Sequence, residues 1–541
     1  MENSDREDLL RRPSRLGPMT VAAFLILWLA LHGAACRSRQ AADKSGQNAE
    51  GKGRISESKA QSAESERRSA ATRLDGDREV WEVAYIQGVR VGYARTAIRR
   101  VARGGENLLD IEGSTRLAMR RFDTPITMDI RFASTETPDG RLVECQSVIA
   151  QGSTTVTTTG RVAGNQLQLQ VATSGKTTTA AFPWPPECGG YYALQQSLSR
   201  TPMKPGETRT IRALEPGTSQ VSTTRLVARN VEPVKLLDKT AELLRIDSTT
   251  TLDGQAIPGG LWTDRDGEIW KSRTEMLAIE MFRTTKEEAL KASEPGDLDL
   301  ATSVAIPVKR PLERPHQTKR VRYRMHLDGG NPAEVFASGP SQKVQSIDPH
   351  TAEVTVFSLR LGQPAGNAGA KEGPPTTADR EPNNWIQSDH PKIVAAAKEA
   401  AGDLQDPWQT AVALERYAHS RIRRPGFSQA FDTALDVLES GEGDCTEHAV
   451  LLVALARARG IPARVAIGLV YYKESVLYHM WTEMCLEGRW IPMDATLAQG
   501  GIGAAHLKLV HTSLQGASAL SSFLPVAQVA GRLKIEIAEV E

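Results

Sequence analysis

The sequence predicts an α+β protein: a mainly antiparallel β region, then a C-terminal unit in which helices precede a short sheet. Three observations carry that prediction. From Glu79 to about Met281 apolar and polar residues alternate with period two, and the breaks fall at Gly, Asn and Asp. From Glu447 to Ala458 the chain is instead apolar at helical spacing and stops at Gly460-Ile461-Pro462. Apolar β runs then follow at Ala463–Tyr472, Tyr478–Leu486 and Arg489–Met493.

The 541 residues are enough for three or four domains. Lys and Arg total 66 against 65 Asp and Glu, a formal charge of +1, and no basic cluster is interleaved with aromatics. That balance excludes nucleic acid as a partner.

Taken in order, residues 1–36 read as an export or anchoring signal. Arg11, Arg12 and Arg15 precede the apolar run Met19–Ala35, whose 17 residues are at the short limit for a spanning helix. Gly33-Ala34-Ala35 before Cys36 fits a cleavage site, and loosely a lipoprotein box with Gly33 where Leu is usual. Signal anchor, lipoprotein and secreted protein all stay open. The leading arginines favour an orientation with the bulk of the chain outside the cytoplasm, and Arg37 and Arg39 oppose it. Residues 37–77, polar and nearly free of large apolar side chains, read as a disordered tether.

Residues 78–310 are expected to form the antiparallel β domain, with Asp264-Arg265-Asp266-Gly267 as one of its hairpin turns. Val321–Leu327 and Ala352–Leu361 mark a small β unit at 315–362. Residues 363–384 are a Pro/Gly/Ala-rich linker. In 385–541 helices are expected at Asp389–Ala401 and at Pro407–Ile422, where Pro407 suits a first turn.

The chemistry concentrates in this last unit. Asp444 stands where an N-cap belongs, which puts Cys445 in the first turn of the apolar helix. Unpaired N–H groups and the positive end of the helix dipole favour a thiolate there. Glu487-Gly488 suits a two-residue turn between the second and third β runs. That turn pairs Leu486 with Arg489 and, counting back, Trp481 with Asp494. His479 and Asp494 then lie on one face as diagonal neighbours, within reach of a hydrogen bond. Cys445, His479 and Asp494 are thus a nucleophile, a base and its orienter. His448, one turn from Cys445, projects along the helix and is the lesser candidate for the base. Cys445 and His448 with Cys485 and His479 lack the spacing of a zinc finger, and there is no HExxH motif, acidic calcium loop or phosphate-binding Gly loop. No metal or cofactor is expected. Of the other cysteines, Cys36 suits lipidation, Cys145 and Cys188 are placed to pair or stay reduced, and Cys485 reads as core.

The blocks GDCTEHAVLLVALARARGIPARVAIGL (443–469), YHMWTE (478–483) and GRWIPMDAT (488–496) resemble the transglutaminase-like superfamily in its bacterial envelope-associated form. The resemblance covers roughly 385–515. It implies a papain-like α+β core, with Cys445 as nucleophile, His479 as base and Asp494 as orienter. It also implies a partial oxyanion hole at the Cys445 N–H, for which Gln429 and Trp408 are candidate second donors. The function expected is a membrane-tethered, extracytoplasmic thiol enzyme of a bacterial envelope. It would act on a protein or peptide substrate through a thioester, as a peptidase, amidase or transglutaminase. The alternative is a catalytically inactive scaffold or binding module of the envelope.

Overall fold

The computed structural model describes residues 72–541 apart from 122–123, 152–153, 174–175, 217–219, 292–297, 300–302, 361–369, 371, 427–430 and 516–523. Fifteen strands between Thr72 and Thr284 make one sheet. The first described strand is in its middle: Thr72–Ile86 pairs with Val89–Arg103, and each later strand adds outward to Lys176–Pro183 at one edge. It then crosses to the other edge at Cys188–Gly189 and returns strand by strand. Ile279–Thr284 closes on the first strand, with Trp81 opposite Thr284. All neighbours are antiparallel except Cys188–Gly189 with Thr208–Glu215.

The period-two pattern is what this meander needs. On Gln166–Thr173, Leu167, Leu169 and Val171 are buried, while Gln166, Gln168 and Gln170 are exposed. The turn Gln87-Gly88 has both residues left-handed (φ 50° and 80°), the backbone that matches strand twist in a two-residue hairpin. Cys145 and Cys188 are buried and neither forms a disulfide, so the pairing considered from the sequence is not made.

The expectation of an α+β protein does not hold for the chain. Strands take 53% of the described residues and helices 18%, so the protein is mainly β. The longer helices lie in a short stretch near the C-terminus, and the fifteen-stranded sheet outweighs them.

That stretch holds the helices Pro391–Ala401, Pro407–Arg421, Ala434–Ser440 and Cys445–Ala458. The last is buried on nearly every side, and the other three pack around it. Beside it lies a five-stranded sheet: Ile306–Pro307, Ser475–Leu486, Ala463–Tyr472 and His506–Thr512, with Arg489–Met493 also on Ser475–Leu486. A four-stranded sheet runs Gln342–Asp348, Thr351–Phe357, Arg320–Leu327, Leu533–Val540. Its last strand comes from the end of the chain. Among the described residues no helix is long and apolar enough to cross a membrane, and Met19–Ala35 lies outside them.

Candidate active site

The Cys445 helix starts where the sequence places it. The Asp444 side chain accepts from the Thr446 N–H at 2.8 Å, and Glu447 reaches back to accept from the Asp444 N–H at 2.9 Å. This reciprocal cap satisfies two of the donors a helix start leaves open. It also explains Gly443: a Cβ there would lie 2.3 Å from Glu447 Cβ. Glu447 is buried, which raises its carboxyl well above the ordinary range, and the Asp444 charge adds to the rise.

The predicted hairpin forms in the predicted register. Leu486 pairs with Arg489 and Thr482 with Met493, across Glu487 and Gly488 with φ of 50° and 76°. Asp494 follows directly, at the position that this register sets opposite Trp481. His479 Nε2–H donates to Asp494 Oδ2 at 2.8 Å, with both side chains about 1% exposed. The other ring nitrogen, Nδ1, is buried and has no hydrogen-bond partner among the described residues.

The helix and the histidine strand are tied together. Thr482, three residues after His479, donates its hydroxyl to the carbonyl of Ala449, one turn on from Cys445. His448 donates Nδ1–H to the Asp444 carbonyl at 2.6 Å. Burial lowers His448 below the ordinary imidazole range, against that hydrogen bond and the nearby charge of Asp494. His448 is therefore committed to its own helix. Cys445 itself is 1% exposed.

Sequence reasoning missed most of what surrounds Asp494. Its Oδ1 accepts from the backbone N–H and hydroxyl of Thr496 at 2.9 and 2.6 Å. The Asp-x-Thr spacing of an Asx turn was a readable signal for that. Its Oδ2 takes a second donor, His506 Nε2–H, at 2.9 Å. Burial alone would raise Asp494. The charge and hydrogen bond of His479, with the bond from His506, outweigh it and hold the carboxyl well below its ordinary range. Glu415, on the helix Pro407–Arg421, accepts from the backbone N–H of Asp494 at 3.1 Å and of Gly500 at 2.7 Å, pinning the loop. Burial pushes Glu415 up to about 7; the Gly500 bond opposes the rise and the Asp494 charge adds to it.

Trp481 stacks on His479, with centroids 6.2 Å apart and 22° between planes. Its Nε1–H is buried with no partner among the described residues. Gly468 on the adjacent strand makes room, since a Cβ there would sit 2.9 Å from the Trp481 ring and 2.0 Å from the Leu507 carbonyl. Of the candidate oxyanion donors, Gln429 lies outside the described residues, and Trp408 packs half-buried on the apolar core. Cys485 is half-buried, and burial raises its thiol.

Glu483, two residues past Trp481, belongs to a different network. Lys508 Nζ lies 2.6 Å and Arg464 2.7 Å from its oxygens, and both cations also reach Glu372. Burial would raise Glu483, but the two cations bring it down to about 2. Among the described residues two groups have ligating atoms close enough together to suggest a metal. In Glu372, Glu483 and His511 the place of a cation is taken by Lys508 and Arg464. In His479, Asp494 and His506 the separations of 2.8 and 2.9 Å are hydrogen-bond lengths with a proton between the heavy atoms. The residues present fit hydrogen bonding at both places.

Cys445 stands in the first turn of a buried helix, and His479 is oriented by a carboxylate whose two oxygens are both engaged. Residues 394–495 match the transglutaminase-like superfamily. This transglutaminase-like segment is about a fifth of the chain and contains Cys445, His479 and Asp494. His506 lies beyond it. The search of curated proteins found no match. Among solved structures, a candidate cysteine protease from Cytophaga hutchinsonii is 16% identical, with a TM-score of 0.25 over 41% of this chain and 85% of that one. A β-barrel-like protein of a domain of unknown function from Brucella abortus is 11% identical, with a TM-score of 0.28 over 38% of this chain and 94% of that one. A candidate protease from Parabacteroides distasonis is 9% identical, with a TM-score of 0.17 over 63% of this chain and 64% of that one. At these TM-scores none of the three bears on what this chain does.

Proposed function

We propose that the transglutaminase-like segment is a cysteine acyl-transfer enzyme acting on amide or peptide bonds of a protein or peptide. The observation that carries this is His479: Nε2 is engaged by Asp494 at 2.8 Å, and the buried Nδ1 has no hydrogen-bond partner among the described residues. A carboxylate on one ring nitrogen fixes the tautomer and leaves the lone pair of the other to take a proton. Cys445 gives up its thiol proton to His479 and its sulfur bonds to the carbonyl carbon. The C–N bond breaks, the leaving amine takes the proton from His479, and a thioester remains. Water resolves it in a peptidase or amidase and a primary amine in a transglutaminase, either one returning the thiol. The developing oxyanion would be met by the N–H of Cys445 at the helix start. With the thiol 1% exposed, substrate reaches it through a local opening of the structure.

The reading extends to location. Met19–Ala35 would tether the chain to a membrane, with the β region and the enzyme on the extracytoplasmic side of a bacterial envelope. Two experiments test these statements. Glutamine- and amide-based activity probes are applied to wild type and Cys445→Ala, with and without a primary amine. Capture lost only in the mutant supports the enzyme. Amine incorporation then identifies transfer, and a shortened peptide identifies proteolysis. Several unrelated probes giving no Cys445 adduct would leave the inactive scaffold as the better reading. For the tether, the full chain should stay with membranes through a high-salt wash, and release by that wash rules out insertion.

A further inference from the structure

Asp494 serves two imidazoles through one oxygen. His479 Nε2 lies 2.8 Å and His506 Nε2 2.9 Å from Oδ2, and the three side chains are at most 1% exposed. An ionised carboxylate only accepts, so each of these nitrogens carries a proton. Oδ1 is already filled by Thr496 at 2.9 and 2.6 Å, so Thr496 holds the orientation of the carboxylate without help from His506. His506 comes from the far strand of the sheet, His506–Thr512, and its ring is 5.6 Å from that of His479 and 5.3 Å from that of Trp481.

We propose that His506 is a positioning residue of this site, one that shares Asp494 Oδ2 with His479 and thereby sets the pH at which His479 releases its proton. The inference rests on the acyl-transfer reading above and deepens it. A hydrogen bond donated to a carboxylate oxygen withdraws charge from that oxygen. With His506 in place, Oδ2 holds the His479 imidazolium less tightly. That matters because His479 has two tasks: it takes the thiol proton and then hands a proton to the leaving amine. A base clamped by an unshared carboxylate performs the first task well and the second poorly, and proton transfer is fastest when the donor titrates near the working pH.

The surroundings make His506 a donor rather than a second cation. Facing it or Asp494 are His479 from Ser475–Leu486, two strands away, His316 from the segment before Arg320–Leu327, Glu415 from the helix Pro407–Arg421 and His448 from the Cys445 helix. Arg360 acts on His316, and its guanidinium donates to the His316 carbonyl. The His316 and His506 rings are 5.8 Å apart. Burial lowers His506 and takes His316 down to about 4, leaving both neutral near pH 7, while Asp494 pulls His506 the other way. Glu415, raised to about 7, adds at most part of a negative charge.

The test is the pH profile of Cys445 alkylation by chloroacetate, measured on the full chain by mass spectrometry of the Cys445 peptide. The reagent is an anion, so its rate rises as the thiolate forms beside imidazolium and falls again when His479 loses its proton. Wild type should give a bell. In His506→Leu, and in His506→Asn, whose amide is too short to reach Oδ2, the basic limb should move up by about one pH unit. His506→Gln keeps a donor at the same reach and should bring the limb back close to wild type. If the leucine chain fails to fold, the asparagine chain decides. A wild-type bell that these two variants leave in place or move down overturns the role of His506 alone, as does a glutamine chain that behaves like leucine. A wild-type Cys445 that alkylates in step with Cys485, with the profile of an ordinary thiol, overturns the acyl-transfer reading itself.

Discussion

Asp494→Asn should disable the site while leaving a folded protein. The carboxylate receives four hydrogen bonds: two from Thr496 on Oδ1 and one each from His479 and His506 on Oδ2. Asparagine replaces one acceptor with an NH2 group. If its oxygen stays with Thr496, the NH2 meets the Nε2–H of both histidines. If it turns over, it meets the Thr496 backbone N–H, which has no freedom to rotate away. An unsatisfied buried donor costs roughly 1–3 kcal/mol, and imidazoles escape part of that by moving the proton to Nδ1, so the net loss of stability should be about 2–4 kcal/mol. The escape is what removes activity, because a proton on His479 Nδ1 occupies the lone pair that takes the thiol proton. The same tautomer fault costs about 10⁴ in a serine triad; a thiol depends less on its base, and we expect about 10- to 1000-fold. The assay is the rate of Cys445 alkylation near neutral pH, with urea unfolding as the control for folding. An Asp494→Asn protein that is folded and alkylates within twofold of wild type would refute the reasoning.

Glu483→Gln separates the two carboxylates of the hairpin. It should destabilise the protein by about 3 kcal/mol, because Lys508 and Arg464 lose one of their two counter-charges and keep only Glu372, yet Cys445 in the folded fraction should alkylate normally. The opposite result would mean that Glu483 is the orienter. Gly443→Ala places a Cβ 2.3 Å from Glu447 Cβ and breaks the reciprocal cap of the Cys445 helix. A loss of about 2 kcal/mol is expected in denaturant unfolding, and a neutral effect would show that the cap yields easily. In the large sheet, burial raises the Glu136 carboxyl to about 7, against hydrogen bonds from Ser134 and Tyr192. Its folded value lies above the unfolded one, so its contribution is complete below about pH 4 and fades as the pH rises through 7. Between pH 4 and 8 stability should fall by about 3 kcal/mol through this group. Glu136→Gln should flatten that slope in urea titrations, and an unchanged slope would assign the pH dependence elsewhere.

The sequence by itself determined whatever is settled within one or two turns of chain. Asp444, Cys445 and Glu447 specify a capped helix start because capping is a contact over three residues. Glu487-Gly488 fixes the hairpin register because a two-residue turn leaves one way to pair the flanking strands, and that register brings His479 to Asp494. The period-two alternation specified the strands of the long sheet. A whole-chain class depends on how much chain follows each pattern, and the strands outweigh the helical stretch. Tertiary structure alone decided the partners that are distant in sequence. His506 reaches Asp494 because His506–Thr512 pairs with Ala463–Tyr472, an alignment set by burial of the sheet and the helix upon it rather than by any local turn. Glu415 reaches the same loop from a helix 79 residues earlier. Leu533–Val540 joins Arg320–Leu327 across about two hundred residues. A strand's own sequence says which face is apolar and nothing of which edge it will meet, so these choices belong to the packing of the whole molecule.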